Sequence, residues 1–301
     1  MTQAANGTGY RTTDVEVRGG TLHTALWGPD DPVAPTILAV HGVTASHKAW
    51  PYLAEALPGV RIIAPDLRGR GRSNMLPGPY GMPTHAQDLA AVLAALTTGP
   101  VVVVGHSMGA FAALVLANLF PERVRSLVLV DGGLPLQVPA GISDEDVVAA
   151  VLGPAAERLN STFPSREVYR SFWRQHPAFS ADWTPLVEDY VDYDLTGEEP
   201  DLKPATRYEA MAEDTAELHR GASLLKALDE LAVDVQVLRA PRGLLNEPAA
   251  LYSPGYLEDW AEKLPTLRVR EVPDVNHYTI VMGKAGARAV AESVQEALAV
   301  R

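Results

Sequence analysis

The chain has 301 residues, enough for one large domain or a domain carrying a sizeable insertion, and its 47 % hydrophobic and 21 % charged residues are ordinary for a soluble globular protein. A formal net charge of -12 argues against nucleic acid or an anionic membrane surface as a partner, since both require clustered Lys and Arg. With no cysteine there is no disulfide, thiolate zinc site or cysteine nucleophile, and the polar N-terminal segment MTQAANGTGYRTTD lacks the basic-then-apolar layout of an export signal, so the cytoplasm is the expected location.

In chain order, residues 13–18 and 21–27 alternate apolar and polar around Gly19-Gly20 and predict a hairpin. PTILAVHG (35–42) reads as a buried strand ending in a glycine turn. A short helix around 49–57 follows, then a strand in VRIIAPDL (60–67). THAQDLAAVLAALT (84–97) reads as an amphipathic helix with Thr84 as its N-cap.

VVVVGHSMGAFAALVLANLF (101–120) is as long as a bilayer-spanning helix but is interrupted at its centre by Gly105, His106, Ser107 and Gly109. Four consecutive valines favour a strand, and the Ala/Leu/Met-rich half from Met108 favours a helix, so the segment parses as strand, sharp turn, helix. RSLVLVDGG (125–133) is a further strand, ending in an acid and two glycines. From about 137 to 221 the strand rhythm stops. ISDEDVVAAVLGPAAERLN, SREVYRSFWRQH, PLVEDYVDYDL and RYEAMAEDTAELH read as helical, broken at prolines. Strands resume in VDVQVLRAP (233–241) and LRVREVPDV (267–275), and a helix over about 284–299 closes the chain. The alternation predicts an α/β fold with a mostly parallel sheet of about eight strands flanked by helices. The expected core is 1–136 and 222–301, with a helical block at 137–221 standing on the sheet's C-terminal edge.

GHSMG (105–109) fits G-x-S-x-G with a strand before it and a helix after it, the context that gives the pattern meaning. The turn exposes Ser107 Oγ above the sheet, the flanking glycines avoid collision with neighbouring strand and helix, and the helix aims free N–H groups at the same spot. A serine hydroxyl needs a base. Of the eight histidines, His277 in DVNHYT follows the last strand and hangs over the same sheet edge as Ser107. His106 adjoins the serine, but its side chain is expected to point away from it.

With HGVTAS (41–46), DLRGRGRS (66–73), LVLVDGG (127–133) and NHYT (276–279) added to GHSMG, the chain resembles the α/β-hydrolase superfamily, in that family's order and over essentially its whole length. The resemblance implies the α/β-hydrolase fold, with the helical block as its cap. It also implies an oxyanion hole from the Val43 and Met108 amides, with His41 bracing the Val43 turn, and a structural role for the 66–73 loop. The triad acid commonly lies in VQVLRAPRGLLNEPAALY (235–252), where no aspartate stands: Gly243 and Asn246 are near the usual offset, and the first carboxylate is Glu247. Some branches place the acid one strand earlier, where Asp131 stands. Asp131 is favoured on geometry, with Glu247 the alternative; Asn276 is an uncharged neighbour of the base.

The activity implied is hydrolysis of a carboxylic ester, lactone or thioester through a Ser107–His277–Asp131 triad and an acyl-enzyme, without metal or cofactor. A C–C bond hydrolase or haloperoxidase-like enzyme on the same triad is the alternative, and a non-catalytic binding protein on the same fold is the alternative of another class. The cap's aromatics point to a small apolar or aromatic acyl substrate, with Tyr169, Trp173 and Tyr278 as candidate contacts.

Overall fold

The computed structural model describes residues 9–138 and 157–300. An N-terminal hairpin is formed by β1 (Arg11–Val17) and β2 (Gly20–Trp27), turning through Gly19 at φ 91. Next come β3 (Thr36–Val40), β4 (Arg61–Pro65), β5 (Val101–His106) and β6 (Val124–Val130). An excursion holds the two-residue strands β7 (Leu195–Thr196) and β8 (Lys203–Pro204); β9 (Val235–Arg239) and β10 (Leu267–Glu271) complete the set. Eight strands form one sheet in the order β1-β2-β4-β3-β5-β6-β9-β10. The pairs β1/β2 and β2/β4 are antiparallel and the others parallel.

The inner strands are apolar at consecutive positions because both sheet faces are covered. Val101 and Val103 pack with Leu89, Phe111 and Leu114 on one face. Val102 and Val104 pack with Leu53, Val290 and Val294 on the other. The valine run of 101–120 is therefore β5, and its second half is helix Met108–Leu119. Among the described residues no helix is long and apolar enough to cross a membrane.

Helix Met82–Leu96 begins two residues before the expected start, and Thr84 is not its N-cap. Gly81 at φ 93 holds that position and Pro83 pre-sets the first turn. The orphan amides are met from far away in sequence: Gly81 N–H donates to Asp214 Oδ1 at 2.6 Å and Met82 N–H to Glu217 Oε2 at 2.8 Å. Two carboxylates at a helix N-terminus also complement its dipole, so a local threonine cap is not needed.

Between β6 and β9 the described helices are Arg166–Arg174, Pro185–Tyr193, Tyr208–Glu217 and Ala222–Asp229. Most of ISDEDVVAAVLGPAAERLN lies outside the described residues. The short β7/β8 pair and a Phe163–Leu202 bridge interrupt the all-helical pattern expected here. The insertion continues the two layers of the sheet: Met211 and Leu218 pack with Phe111 and Leu114, while Tyr169, Phe179 and Tyr190 belong with Leu53 and Val290.

Candidate active site

Ser107 follows β5 at φ 53 and ψ -127, in the left-handed region a non-glycine residue occupies only under constraint. The constraint comes from four glycines. A Cβ on Gly105 would lie 2.5 Å from Ala110 Cα, and one on Gly109 would lie 2.1 Å from the Val40 carbonyl oxygen. Gly132 and Gly42 do the same from neighbouring strands: a Cβ there would lie 2.3 Å from the Ser107 carbonyl oxygen and 3.1 Å from Ser107 Cβ. The sequence pattern marks the first pair; the second pair needs the sheet order to be seen. Ser107 is half-buried, and Met108, the first helical residue behind it, has an N–H with no intrahelical partner.

Asp131 ends β6, the neighbour of β5, also at positive φ (46). Its N–H donates to the Leu238 carbonyl at 2.7 Å, and its Oδ1 accepts from Ala240 N–H at 3.1 Å. Its Oδ2 lies 2.7 Å from His277 Nδ1. Asp131 is fully buried and His277 is 4 % exposed. A proton on Nδ1 satisfies that carboxylate and leaves Nε2 as the ring's acceptor. The His277 loop is set by two neighbours. Asn276 Oδ1 accepts the N–H groups of Tyr278 and Thr279 at 3.0 and 2.9 Å, so Asn276 shapes the loop. His106 Nε2 donates to the His277 carbonyl at 2.8 Å. Burial and the adjacent His277 push the His106 pKa well below the ordinary value, which keeps this ring neutral.

Glu247 is placed elsewhere. Its Oε2 accepts Leu245 N–H at 2.7 Å and its carbonyl accepts Gly243 N–H at 2.9 Å, so both groups close its own loop.

The Val43 turn is pinned on both sides. His41 Nδ1 donates to the Gly42 carbonyl at 2.8 Å while its Nε2 accepts Leu67 N–H at 2.9 Å. Because the Gly42–Val43 peptide is planar and trans, fixing its carbonyl fixes the opposite direction of the Val43 N–H. Burial is the main cause that lowers the His41 pKa to about 4, so the brace is neutral near pH ~7. In the 66–73 loop, Arg68 forks onto Asp88 at 2.9 and 2.8 Å, and Asp66 accepts His47 N–H and Arg72 N–H, both at 2.9 Å.

Ser107, His277 and Tyr278 line one pocket of about 660 Å³, its open mouth included, together with Val43, Phe111, Leu136 and Tyr190. Tyr169 and Trp173 are not on its wall. They are buried inside the insertion, where Tyr169 and Arg158 meet Asp194, and the Arg158 guanidinium lies 5.0 Å from the Trp173 ring centroid. Helical spacing places aromatics on one face but does not say which face meets substrate.

The chain belongs to the α/β-hydrolase fold family, which residues 35–283 match. Lipase LipV of Mycobacterium tuberculosis is 41 % identical over 131 residues, 44 % of this chain and 48 % of that protein, so the match spans about half of the lipase. A 2-(acetamidomethylene)succinate hydrolase of Mesorhizobium japonicum is 27 % identical over 245 residues, 81 % of this chain and 82 % of that one. Among solved structures, E-2-(acetamidomethylene)succinate hydrolase superposes with a TM-score of 0.77 at 22 % identity over 95 % of this chain and 98 % of that one. The thioesterase domain from the curacin biosynthetic pathway gives 0.74 at 22 % identity over 95 % and 99 %. At these identities the structural likeness is one of fold. Both curated relatives are themselves named as hydrolytic enzymes.

Proposed function

We propose that this chain hydrolyses an uncharged, apolar carboxylic ester, or a lactone or thioester, through an acyl-enzyme on Ser107. The observation that carries the reading is the buried His277–Asp131 contact at 2.7 Å, made by a histidine that shares its pocket with Ser107. Ser107 Oγ attacks the acyl carbon as its proton passes to His277 Nε2, and Asp131 holds the tautomer and stabilises the imidazolium. The Val43 and Met108 N–H groups receive the oxyanion. Its collapse breaks the acyl–heteroatom bond, and the leaving group takes the proton from His277. Water then gives a proton to His277 and attacks the acyl carbon, and Ser107 leaves with that proton, releasing the acid.

The lining of the pocket supports an apolar substrate. Among the described residues lining the pocket there is no Asp, Glu, Lys or Arg. A substrate carboxylate would find no charged partner among those residues, and desolvating it unpaired costs several kcal/mol. The chain is therefore expected to differ from the relative named for a succinate derivative. On matched p-nitrophenyl esters, a butyryl group is expected to exceed a hemisuccinyl group by more than about 10-fold in kcat/KM; equal rates would contradict the apolar-acyl reading. The acyl-enzyme is tested by quenching turnover in acid and weighing the protein: a butyryl adduct on Ser107, lost in Ser107→Ala, is the expected result. Turnover that persists in Ser107→Ala would overturn the mechanism.

A further inference from the structure

The fully buried Arg70 guanidinium takes no part in the acyl transfer outlined above, yet each of its nitrogens is committed beside it. Nε donates to the Val43 carbonyl at 2.9 Å, and Nη2 lies 3.7 Å from Met108 Sδ. Nη1 donates to the Arg68 carbonyl at 2.9 Å and pairs with Asp214 Oδ2 at 2.6 Å. One side chain thus touches both residues whose amides are proposed to hold the oxyanion. Asp214, on helix Tyr208–Glu217 of the insertion, is also fully buried and accepts from Gly81 N–H and from His85 Nε2.

We infer that Arg70 is a positioning residue of the oxyanion hole, and that through Asp214 it ties the hole's geometry to the seating of the insertion helix. The inference rests on the acyl transfer proposed at Ser107. His41 fixes the peptide before Val43, and Arg70 fixes the peptide after it. The Val43 N–H belongs to the first peptide; Arg70 holds the chain on the far side of the Val43 Cα, so releasing it frees the Val43–Thr44 peptide to rotate and the Val43 Cα to shift, and the N–H is displaced with the turn. On the Met108 side, Arg70 Nη2 contacts the thioether of the residue that opens the helix behind Ser107. An ion pair reaching from the insertion into this turn means that a displaced helix would withdraw the partner that orients the guanidinium fork.

A hole out of line loses stabilisation made only in the transition state, while the apolar pocket still binds the ground state. Arg70→Gln is therefore expected to lower kcat for p-nitrophenyl butyrate by about 10- to 100-fold with KM within about twofold. A trifluoromethyl ketone, which adds to the serine as a hemiketal oxyanion, should lose affinity in parallel with kcat, whereas an alcohol inhibitor that forms no oxyanion should not. Arg70→Lys keeps the charge without the fork and should recover part of the loss. Asp214→Asn should show the same signature at smaller amplitude.

A folded Arg70→Gln whose kcat and ketone affinity stay within about threefold of wild type would overturn the inference. So would a fall in kcat without a matching fall in ketone affinity. If Arg70→Gln does not fold, Asp214→Asn carries the same comparison, and wild-type ketone affinity there is the contradicting result. A wild type that neither turns over the ester nor binds the ketone would sink the acyl-transfer reading itself, and this inference with it.

Discussion

His277 meets Asp131 through Nδ1 and Oδ2 at 2.7 Å, and His47 meets Asp66 through Nδ1 and Oδ1 at 2.9 Å. Both aspartates are fully buried, and both histidines are nearly so. The pairs differ at the other side of each ring. His47 Nε2 is taken by the Tyr10 hydroxyl at 3.0 Å, and Asp66 also accepts His47 N–H, Arg72 N–H and the Tyr193 hydroxyl, the last at 2.6 Å. Burial alone would raise the Asp66 pKa, but the His47 ring, with His41 and the Arg72 N–H, holds the carboxyl well below the ordinary range. The His47 pair is thus a closed junction between the N-terminal hairpin region, the 66–73 loop and the insertion. His277 instead lines the pocket with Ser107. A histidine–aspartate contact becomes a proton-handling unit only where the second ring nitrogen faces a reacting group.

The largest expected effect separates the two histidines. His277→Ala should lower kcat for a neutral ester by about 10⁴-fold or more. His47→Ala should leave kcat within about threefold while lowering the melting temperature. Comparable losses of kcat in both would erase the distinction. Next, Asp66→Asn should cost roughly 3 kcal/mol of folding stability, because it breaks a buried pair and leaves His47 and three other donors with a weaker acceptor. Urea unfolding reads this directly, and a stability within about 0.5 kcal/mol of wild type would contradict it.

A smaller effect concerns acid. The His41 pKa in the folded chain is about 4 against an ordinary 6.5, so the unfolded state binds the extra proton in between. Its contribution is complete above pH 6.5 and is lost as pH falls from 6.5 to about 4, by on the order of 3 kcal/mol at most. His106 acts in the same sense. The urea midpoint should therefore drop between about pH 7 and about pH 5, and the drop should shrink in His41→Asn. A midpoint independent of pH over that range would mean the brace is not held neutral by burial.

The core strands and the elbow are legible in the sequence because local chemistry specifies them. Runs such as VVVV and LVLV dictate buried parallel strands, and a serine between glycines after such a run dictates the strained turn. Asp131 can be named because its position is set by one strand end. The features hidden from the sequence depend on contacts far apart in the chain. Gly81 is capped by Asp214, the Val43 carbonyl is held by Arg70, and Gly132 lies under Ser107. For Tyr169 and Trp173 the deciding fact is which helix face meets the sheet and which the pocket, and a high share of aromatics carries no such direction.

The most direct test of the central claim, that Asp131 and not Glu247 tunes His277 and thereby Ser107, is the rate of labelling by a fluorophosphonate probe. Wild type should label rapidly and Ser107→Ala not at all. Asp131→Asn should label about 10³- to 10⁴-fold more slowly, while Glu247→Gln stays within about threefold of wild type. Slow labelling confined to Glu247→Gln, or an Asp131→Asn protein that labels at the wild-type rate, would contradict the account.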